Sequence, residues 1–269
     1  FSGAARLAAH EGAWHSVWER FCEAPKRYLN IPGHIRKCKA PTNEISWYSG
    51  DCNFDGWPQW NEEQENKIRK DLEMLGDLPP NEARREVLEL EKRHGLRRSL
   101  VWAELGEASL SQAVEHLSVL AQTTSKDLAA GTINELAVGY RNYGWNADDA
   151  LIQALASVKK NEDTEVVKTA IRVIYVPWAQ KSARYLQKVV EESGYPNNST
   201  SACKDPQYKD GECIFFVDGL RFDVAKRLEG MLSICGHQIE ERNVWAALPS
   251  VTATGKPAVT PVRSKIRGS

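Results

Sequence analysis

An aspartate that directly follows an apolar run is the first candidate for chemistry in this sequence. Residues 213–217 read CIFFV and predict a buried parallel strand, after which Asp218 comes at once. Doubly wound sheets bind ligands at the carboxyl ends of their strands, so Asp218 stands at a position typical of a ligand site. Helix capping is the alternative role for both Asp218 and Asp223, and it is the commoner use of aspartate at the start of a helix.

A second candidate is the stretch at residues 248–258, which reads LPSVTATGKPA. It brings Thr252, Thr254 and Lys256 together after a predicted strand. A hydroxyl beside a metal cation can lose its proton and act as a nucleophile. The alternative is an ordinary helix start in which Thr252 or Thr254 is the cap.

Together, VDGLRFD at residues 217–223 and LPSVTATGKPA resemble the PglZ domain, a branch of the alkaline phosphatase superfamily found in bacterial BREX anti-phage systems. The resemblance is strongest over residues 212–262. It implies that Asp218 binds one of two divalent cations, with zinc as the expected metal, and that Thr252 is both a metal contact and the nucleophile. Thr254 is the alternative nucleophile, because the loop offers both hydroxyls. Lys256 would offset phosphate charge, whereas its ordinary role is solvation.

The resemblance implies a metal-dependent phosphatase or phosphodiesterase that acts on a phosphate ester and works with other BREX proteins. The superfamily takes its remaining Asp and His ligands from segments far beyond the nucleophile, whereas here only residues 253–269 follow Thr252. We therefore expect a fragment of a longer protein, inactive by itself. The alternative is a non-catalytic interaction scaffold of the defence complex that could also contact nucleic acid.

A calcium site is a third candidate. Asp51, Asn53, Asp55, Gly56 and Glu62 match the spacing of an EF-hand loop. However, no helix is predicted before this loop, and a proline lies within it. The alternative is a turn rich in Asp and Asn that precedes a helix beginning near Glu62.

Charge gives weak support for nucleic-acid binding. Basic pairs stand at residues 84–85, 92–93 and 97–98, but acidic residues are interleaved with them, and 35 Lys and Arg balance 36 Asp and Glu over 269 residues. We therefore interpret these pairs as solvated helix faces, with phosphate contact as the alternative.

Composition and cysteine usage indicate a reduced compartment. No apolar run approaches the roughly 18 residues typical of a membrane span. The six cysteines are scattered without a CxxC pair, which argues against a disulfide framework or a zinc ribbon. We expect a cytoplasmic protein that does not contact a membrane.

The elements that must position these residues follow from apolar spacing. Residues 1–195 show helical periodicity, interrupted by an ordered loop insertion at residues 25–61. Asp163 is expected to cap a helix that Pro177 breaks or kinks. The apolar stripes are Trp14, Val17, Trp18 and Phe21; Leu110, Ala113, Val114, Leu117, Leu120 and Ala121; and Ala147, Ala150, Leu151, Ala154, Leu155 and Val158.

The pattern changes after a boundary at residues 196–211, which is poor in core-forming residues and predicted to be flexible. Residues 213–217 and 237–244 predict strands that flank a helix starting after Gly219 and ending at Gly236. We therefore predict a mainly α multi-helix region followed, over residues 212–269, by the truncated start of an α/β doubly wound domain like that of alkaline phosphatase. Its single crossover has too few strands for a stable sheet of its own.

Overall fold

The computed structural model describes residues 2–41, 54–196, 211–213, 215, 217, 219–241, 243, 245, 246, 248, 249 and 251–259. For residues 256–259 it describes the backbone only. The chain divides into two compact units. Unit 1 consists of Phe1–Asp127 and Asn146–Gln180, and unit 2 of Leu128–Trp145 and Lys181–Ser269. Within the described ranges, no helix is long and apolar enough to cross a membrane.

The described residues are mostly helical. The α-helices in chain order are α1 (Ser2–Ala8), α2 (Trp14–Glu23), α3 (Asn30–Arg36), α4 (Pro58–Met74), α5 (Pro80–His94), α6 (Val101–Glu104), α7 (Ser109–Thr124), α8 (Ile133–Gly139), α9 (Trp145–Ser157), α10 (Asn161–Ser193), α11 (Phe222–Ile234) and α12 (Thr252–Val259). Short 3-10 helices at Pro25–Arg27, Leu75–Asp77 and Gly95–Ser99 and a π-helical turn at Tyr140–Gly144 connect some of them. The predicted multi-helix region is confirmed.

Helix α7 lies at the centre of unit 1, where α4 and α5 pack against it. Its predicted apolar stripe is confirmed, because all six of its residues are completely buried. Burying a leucine side chain contributes about 1.5–3 kcal/mol, so the three leucines of this stripe account for much of its stabilising effect. The fully buried residues are Leu110, Ala113, Val114, Leu117, Leu120 and Ala121.

A second core cluster in unit 1 is rich in aromatic side chains. It includes Trp18 and Phe21 of α2, as the sequence predicts, whereas Val17 of the same predicted stripe is exposed. Trp102 lies within this cluster and is completely buried. The other buried members are Leu7, Ala8, Ile35, Trp57 and Val101.

Helix α10 runs through Pro177, so of the two predicted outcomes, a break or a kink, the break is wrong. Proline removes one backbone donor, which is a local loss. Apolar burial holds the helix on both sides of that point, with Ile174 fully buried before it and Trp178 buried after it. The Trp178 indole Nε1 also donates a hydrogen bond of 2.9 Å to the carbonyl oxygen of Lys126.

The predicted loop insertion at residues 25–61 is partly wrong, because it contains α3 and the first turn of α4. Pro32 is the third residue of α3, where its missing N–H would have no intrahelical partner anyway. Pro58 is the first residue of α4, a position that proline favours, so this helix begins before Glu62. Residues 42–53 of the predicted loop lie outside the described residues, as do residues 197–210 of the predicted boundary.

Unit 2 confirms the helix predicted after Gly219, which is α11. The predicted strands on either side of it are not seen, since the described residues of 213–217 and 237–244 contain no strand. Phe215 is 86% exposed rather than buried. A strand forms only when neighbouring strands satisfy its backbone groups, and one crossover offers too few of them.

Candidate functional site

Thr252 is the first residue of α12, and its side chain is exposed. The first turn of a helix carries the positive end of the helix dipole, although in α12 the N–H groups of Thr254 and Gly255 already donate to the carbonyl oxygen of Val251 at 3.1 and 2.8 Å. Such a terminus favours anionic groups such as phosphate. The local structure therefore presents the Thr252 hydroxyl beside an environment suited to a phosphate oxygen.

Thr254, the alternative nucleophile, makes local hydrogen bonds. Its hydroxyl oxygen Oγ1 donates to the carbonyl oxygen of Pro249 and lies 3.2 Å from that of Val251. The side chain is half-buried, in contrast to that of Thr252. The two hydroxyls, which the sequence could not distinguish, therefore differ in both exposure and hydrogen bonding.

Two of the predicted site residues cannot be compared in the same way. Asp218 lies outside the described residues, and for Lys256 only the backbone within α12 is described. The described part of the chain contains no group of three or more His, Cys, Asp or Glu side chains that could hold a metal ion. The described side chains therefore do not by themselves form a metal centre, and Asp218 as a ligand stays a prediction.

Asp223 is buried at the start of α11, with 2% of its surface exposed. Its Oδ1 accepts a hydrogen bond of 3.0 Å from Nε of Arg221, whereas its Oδ2 is buried and has no partner in the described part of the chain. The N-cap of α11 is Arg221, and no side-chain hydrogen bond caps this described helix. Asp223 therefore lies in the first turn, at the positive end of the helix that its alternative role implies, but as a buried ion-pair partner and not as the N-cap.

The residues of the predicted calcium loop are only partly described, since Asp51 and Asn53 lie outside that part. Glu62 accepts a hydrogen bond of 2.8 Å from Nε of Arg36. Gly56 packs so closely that a Cβ atom built on it would lie 2.2 Å from the carbonyl oxygen of Ala8. Close packing thus gives a reason for glycine at this position that does not involve calcium.

The basic pair at residues 97–98 shows where the sequence interpretation is wrong, because Arg97 is buried rather than solvated. Only 4% of its surface is exposed, and its Nη2 lies 2.9 Å from Oε1 of Glu65. Arg98 Nη1 donates to Oε2 of Glu91 at 2.9 Å. Arg84 likewise donates from Nε to the Thr124 hydroxyl at 3.0 Å. These arginines hold the helices of unit 1 together.

Asp163 is a second buried charge that the sequence interpretation missed. It was expected to cap a helix, but α10 begins at Asn161 and Asp163 lies inside its first turn, 1% exposed. Its Oδ1 accepts a hydrogen bond of 2.8 Å from Nε of Arg69. The partner is 94 residues away in the chain, and no local sequence pattern points to it.

In comparisons with known proteins, no protein-family model, no curated protein and no solved structure matches the chain.

Proposed function

We propose that this chain carries the nucleophile-bearing part of a metal-dependent phosphatase or phosphodiesterase of the PglZ type. Thr252 is the proposed nucleophile, and Asp218 is a proposed ligand of a divalent cation, with zinc as the expected metal. The support is the pair of motifs at residues 217–223 and 248–258, together with the local structure around Thr252.

The observation that carries the proposal is the difference between two neighbouring hydroxyls. Thr252 is exposed at the N-terminus of α12, whereas the Thr254 hydroxyl donates to the Pro249 carbonyl. A nucleophile must reach phosphorus from an open side, and a hydroxyl that bonds to the backbone of its own turn is less able to do so. The proposal therefore assigns the attack to Thr252 and leaves a supporting role in the turn to Thr254.

The proposed step is an in-line displacement at phosphorus. The Thr252 oxygen forms a bond to phosphorus while the bond from phosphorus to the leaving-group oxygen breaks, and the hydroxyl proton passes to solvent. The positive end of the α12 dipole favours the negative charge of the phosphoryl oxygens. A bound divalent cation would supply activation of the hydroxyl and stabilisation of the leaving oxygen.

The α/β doubly wound domain predicted over residues 212–269 forms part of the same proposal. Val224, Leu228 and Met231 share one face of α11, and each is more than a third exposed. An apolar helix face of this kind is typical of a helix that packs on a sheet. We propose that residues 213–217 and 237–244 pack on this face of α11, where they pair as parallel strands with further strands of the natural protein. In this proposal the protein is cytoplasmic and works with other BREX proteins.

The test is metal-dependent release of nitrophenol from bis(p-nitrophenyl) phosphate by the natural protein that contains this chain. Thr252→Ala should reduce turnover to the rate without protein, because the attacking oxygen is gone. Thr254→Val is the matched control, since it removes a hydroxyl two residues away, and it should keep turnover. Circular dichroism and a thermal melt verify that both variants are folded.

Two outcomes would contradict the proposal. If folded Thr252→Ala protein retains turnover, Thr252 is not the nucleophile. If the unaltered protein shows no metal-dependent turnover, the enzymatic assignment fails, and the interaction scaffold takes its place as the better account.

A further inference from the structure

Unit 1 contains a cavity that none of the assignments above uses. Its volume is about 240 Å³, and it lies between α2, residue 55 and the segment that leads into α6. This size is below the roughly 300–1,000 Å³ of pockets for drug-sized ligands, so it suits a group the size of one side chain. The lining residues that matter for recognition are Trp18, Cys22, Asp55, Leu100, Val101 and Glu104.

The aromatic wall of this cavity is held in place by packing. Trp18 is 7% exposed, and its ring centroid lies 4.7 Å from that of His10 and 5.3 Å from that of Phe21. The backbone of Asp55 is also fixed, because its carbonyl oxygen accepts a hydrogen bond of 2.6 Å from the Trp102 indole. The cavity is therefore preformed by the core of unit 1.

The polar groups of the cavity give it a negative character. Asp55 and Glu104 both line it, as does Cys22, whose thiol is free. Burial and, after it, the carboxylates of Asp55, Glu104 and Glu19 together raise the pKa of Cys22 to about 11. The field of these acidic groups thus reaches the interior of the cavity.

Among the described residues, the basic groups near the cavity leave much of this field in place. Arg98 lines the cavity, but its guanidinium pairs with Glu91 and lies 3.3 Å from Oε2 of Glu115. Lys26 Nζ is 3.9 Å from Glu104 in a largely exposed pair, and such pairs contribute little. Burial lowers the pKa of His10, which lies 3.9 Å from Asp55, so this imidazole is neutral at neutral pH.

We propose that this cavity binds an organic cation, a guanidinium or alkylammonium group on a short aliphatic stem. The carboxylates of Asp55 and Glu104 pair with the cation, and the face of Trp18 adds a cation–π contact. Leu100 and Val101 contact the stem. The same two carboxylates repel an anion. A free polyamine and a basic side chain of another protein share this chemistry.

The test is calorimetric titration of the intact chain with agmatine, which carries both cationic groups on a four-carbon stem. We expect saturable binding that Glu104→Gln weakens up to about fivefold, the loss expected for an ion pair with a carboxylate that is 48% exposed. Asp55→Asn should weaken it similarly. The matched control is Glu23→Gln, which removes an exposed carboxylate of α2 that does not line the cavity, and it should leave affinity unchanged.

Two further probes sharpen the result. Agmatine should slow alkylation of Cys22 but not of exposed Cys235, as followed by peptide mass spectrometry. If N-acetyl-arginine methylamide binds as tightly as agmatine, a protein side chain is a suitable source of the cation. If only agmatine binds, the source is a small molecule. Absence of binding at millimolar agmatine, or equal binding of uncharged butylurea, would overturn the proposal.

Discussion

Arg97 and Glu65 form an ion pair inside unit 1, with side chains only 5% and 10% exposed and with Nη2 2.9 Å from Oε1. Glu65 also accepts a hydrogen bond of 2.7 Å from the backbone N–H of Leu110, near the start of α7. The pair therefore joins α4, the 3-10 helix after α5 and the N-terminus of α7. An acidic group is favourable there, because it faces the positive end of the helix dipole.

Removing both partners of this pair should cost less than the sum of the losses from removing each partner alone. Glu65→Leu or Arg97→Met alone should lower the free energy of unfolding by about 3–5 kcal/mol, because each leaves a buried polar group without its partner. The double variant should lose clearly less than the sum of the two single losses. Urea denaturation followed by circular dichroism measures all four proteins of this cycle. Strictly additive losses would show that the two residues do not stabilise one another.

Gly56 should not tolerate a side chain. A Cβ atom there would meet the carbonyl oxygen of Ala8 at 2.2 Å, so the backbone must shift in Gly56→Ala. Overpacking of this kind costs about 1–3 kcal/mol, which thermal melts should reveal as a lower midpoint. Gly33→Ala in α3 is the matched control, because nothing lies within 4 Å of its Cβ position and alanine favours helix. Equal stability of Gly56→Ala and the unaltered chain would contradict the packing described here.

His94 should make unit 1 sensitive to mild acid. It is 5% exposed, and burial, followed by the charge of Arg97, lowers its pKa to about 4. Below its ordinary pKa near 6.5 the unfolded chain binds a proton that the folded chain does not, so stability falls as the pH drops from about 6.5 to about 4.

Over that pH range, His94 should lower the free energy of unfolding by up to about 3 kcal/mol, because its pKa is about 4 in the folded chain and near 6.5 in the unfolded chain. His94→Gln removes the titrating group, so the loss of stability between pH 6.5 and pH 4 should shrink by that amount. Denaturation curves at a series of pH values measure it. Identical pH dependence of the variant and the unaltered chain would show that His94 does not resist protonation.

Metal content tests the second residue of the proposed enzymatic site. Asp218→Asn should lower zinc occupancy in the natural protein that contains this chain, because it removes one anionic ligand. Elemental mass spectrometry after dialysis against zinc measures the ratio of metal to protein. Glu212→Gln is the control, since it removes an exposed carboxylate six residues earlier and should leave the ratio unchanged. Unchanged zinc in Asp218→Asn would exclude this residue as a ligand.

The sequence predicts those parts of the fold that depend on local periodicity. The stripe of α7 is an example, because residues three and four apart on one helix must share a buried face. Helix α3 was not predicted, and at Pro177 of α10 the sequence left a break and a kink as alternatives. In both cases a local signal from proline is outweighed by burial of residues such as Ile35 and Ile174.

The contacts that the sequence could not predict depend on partners far away in the chain. The local sequence predicts Asp163 as a helix cap and Arg97 as a surface charge. The structure instead pairs Asp163 with Arg69 and Arg97 with Glu65. The two threonines of the candidate site are a similar case. The sequence Thr252-Ala253-Thr254 does not show which hydroxyl donates to the Pro249 carbonyl oxygen. In the structure it is the hydroxyl of Thr254.

The central claim, that Thr252 attacks phosphorus, is tested most directly by trapping the covalent intermediate. The natural protein is incubated with zinc and bis(p-nitrophenyl) phosphate, quenched in acid and digested, and the peptide containing residues 252–254 is fragmented by mass spectrometry. We predict a nitrophenylphosphoryl group on the oxygen of Thr252. An adduct on Thr254 or on another residue, or turnover with no adduct on this peptide, would contradict the claim.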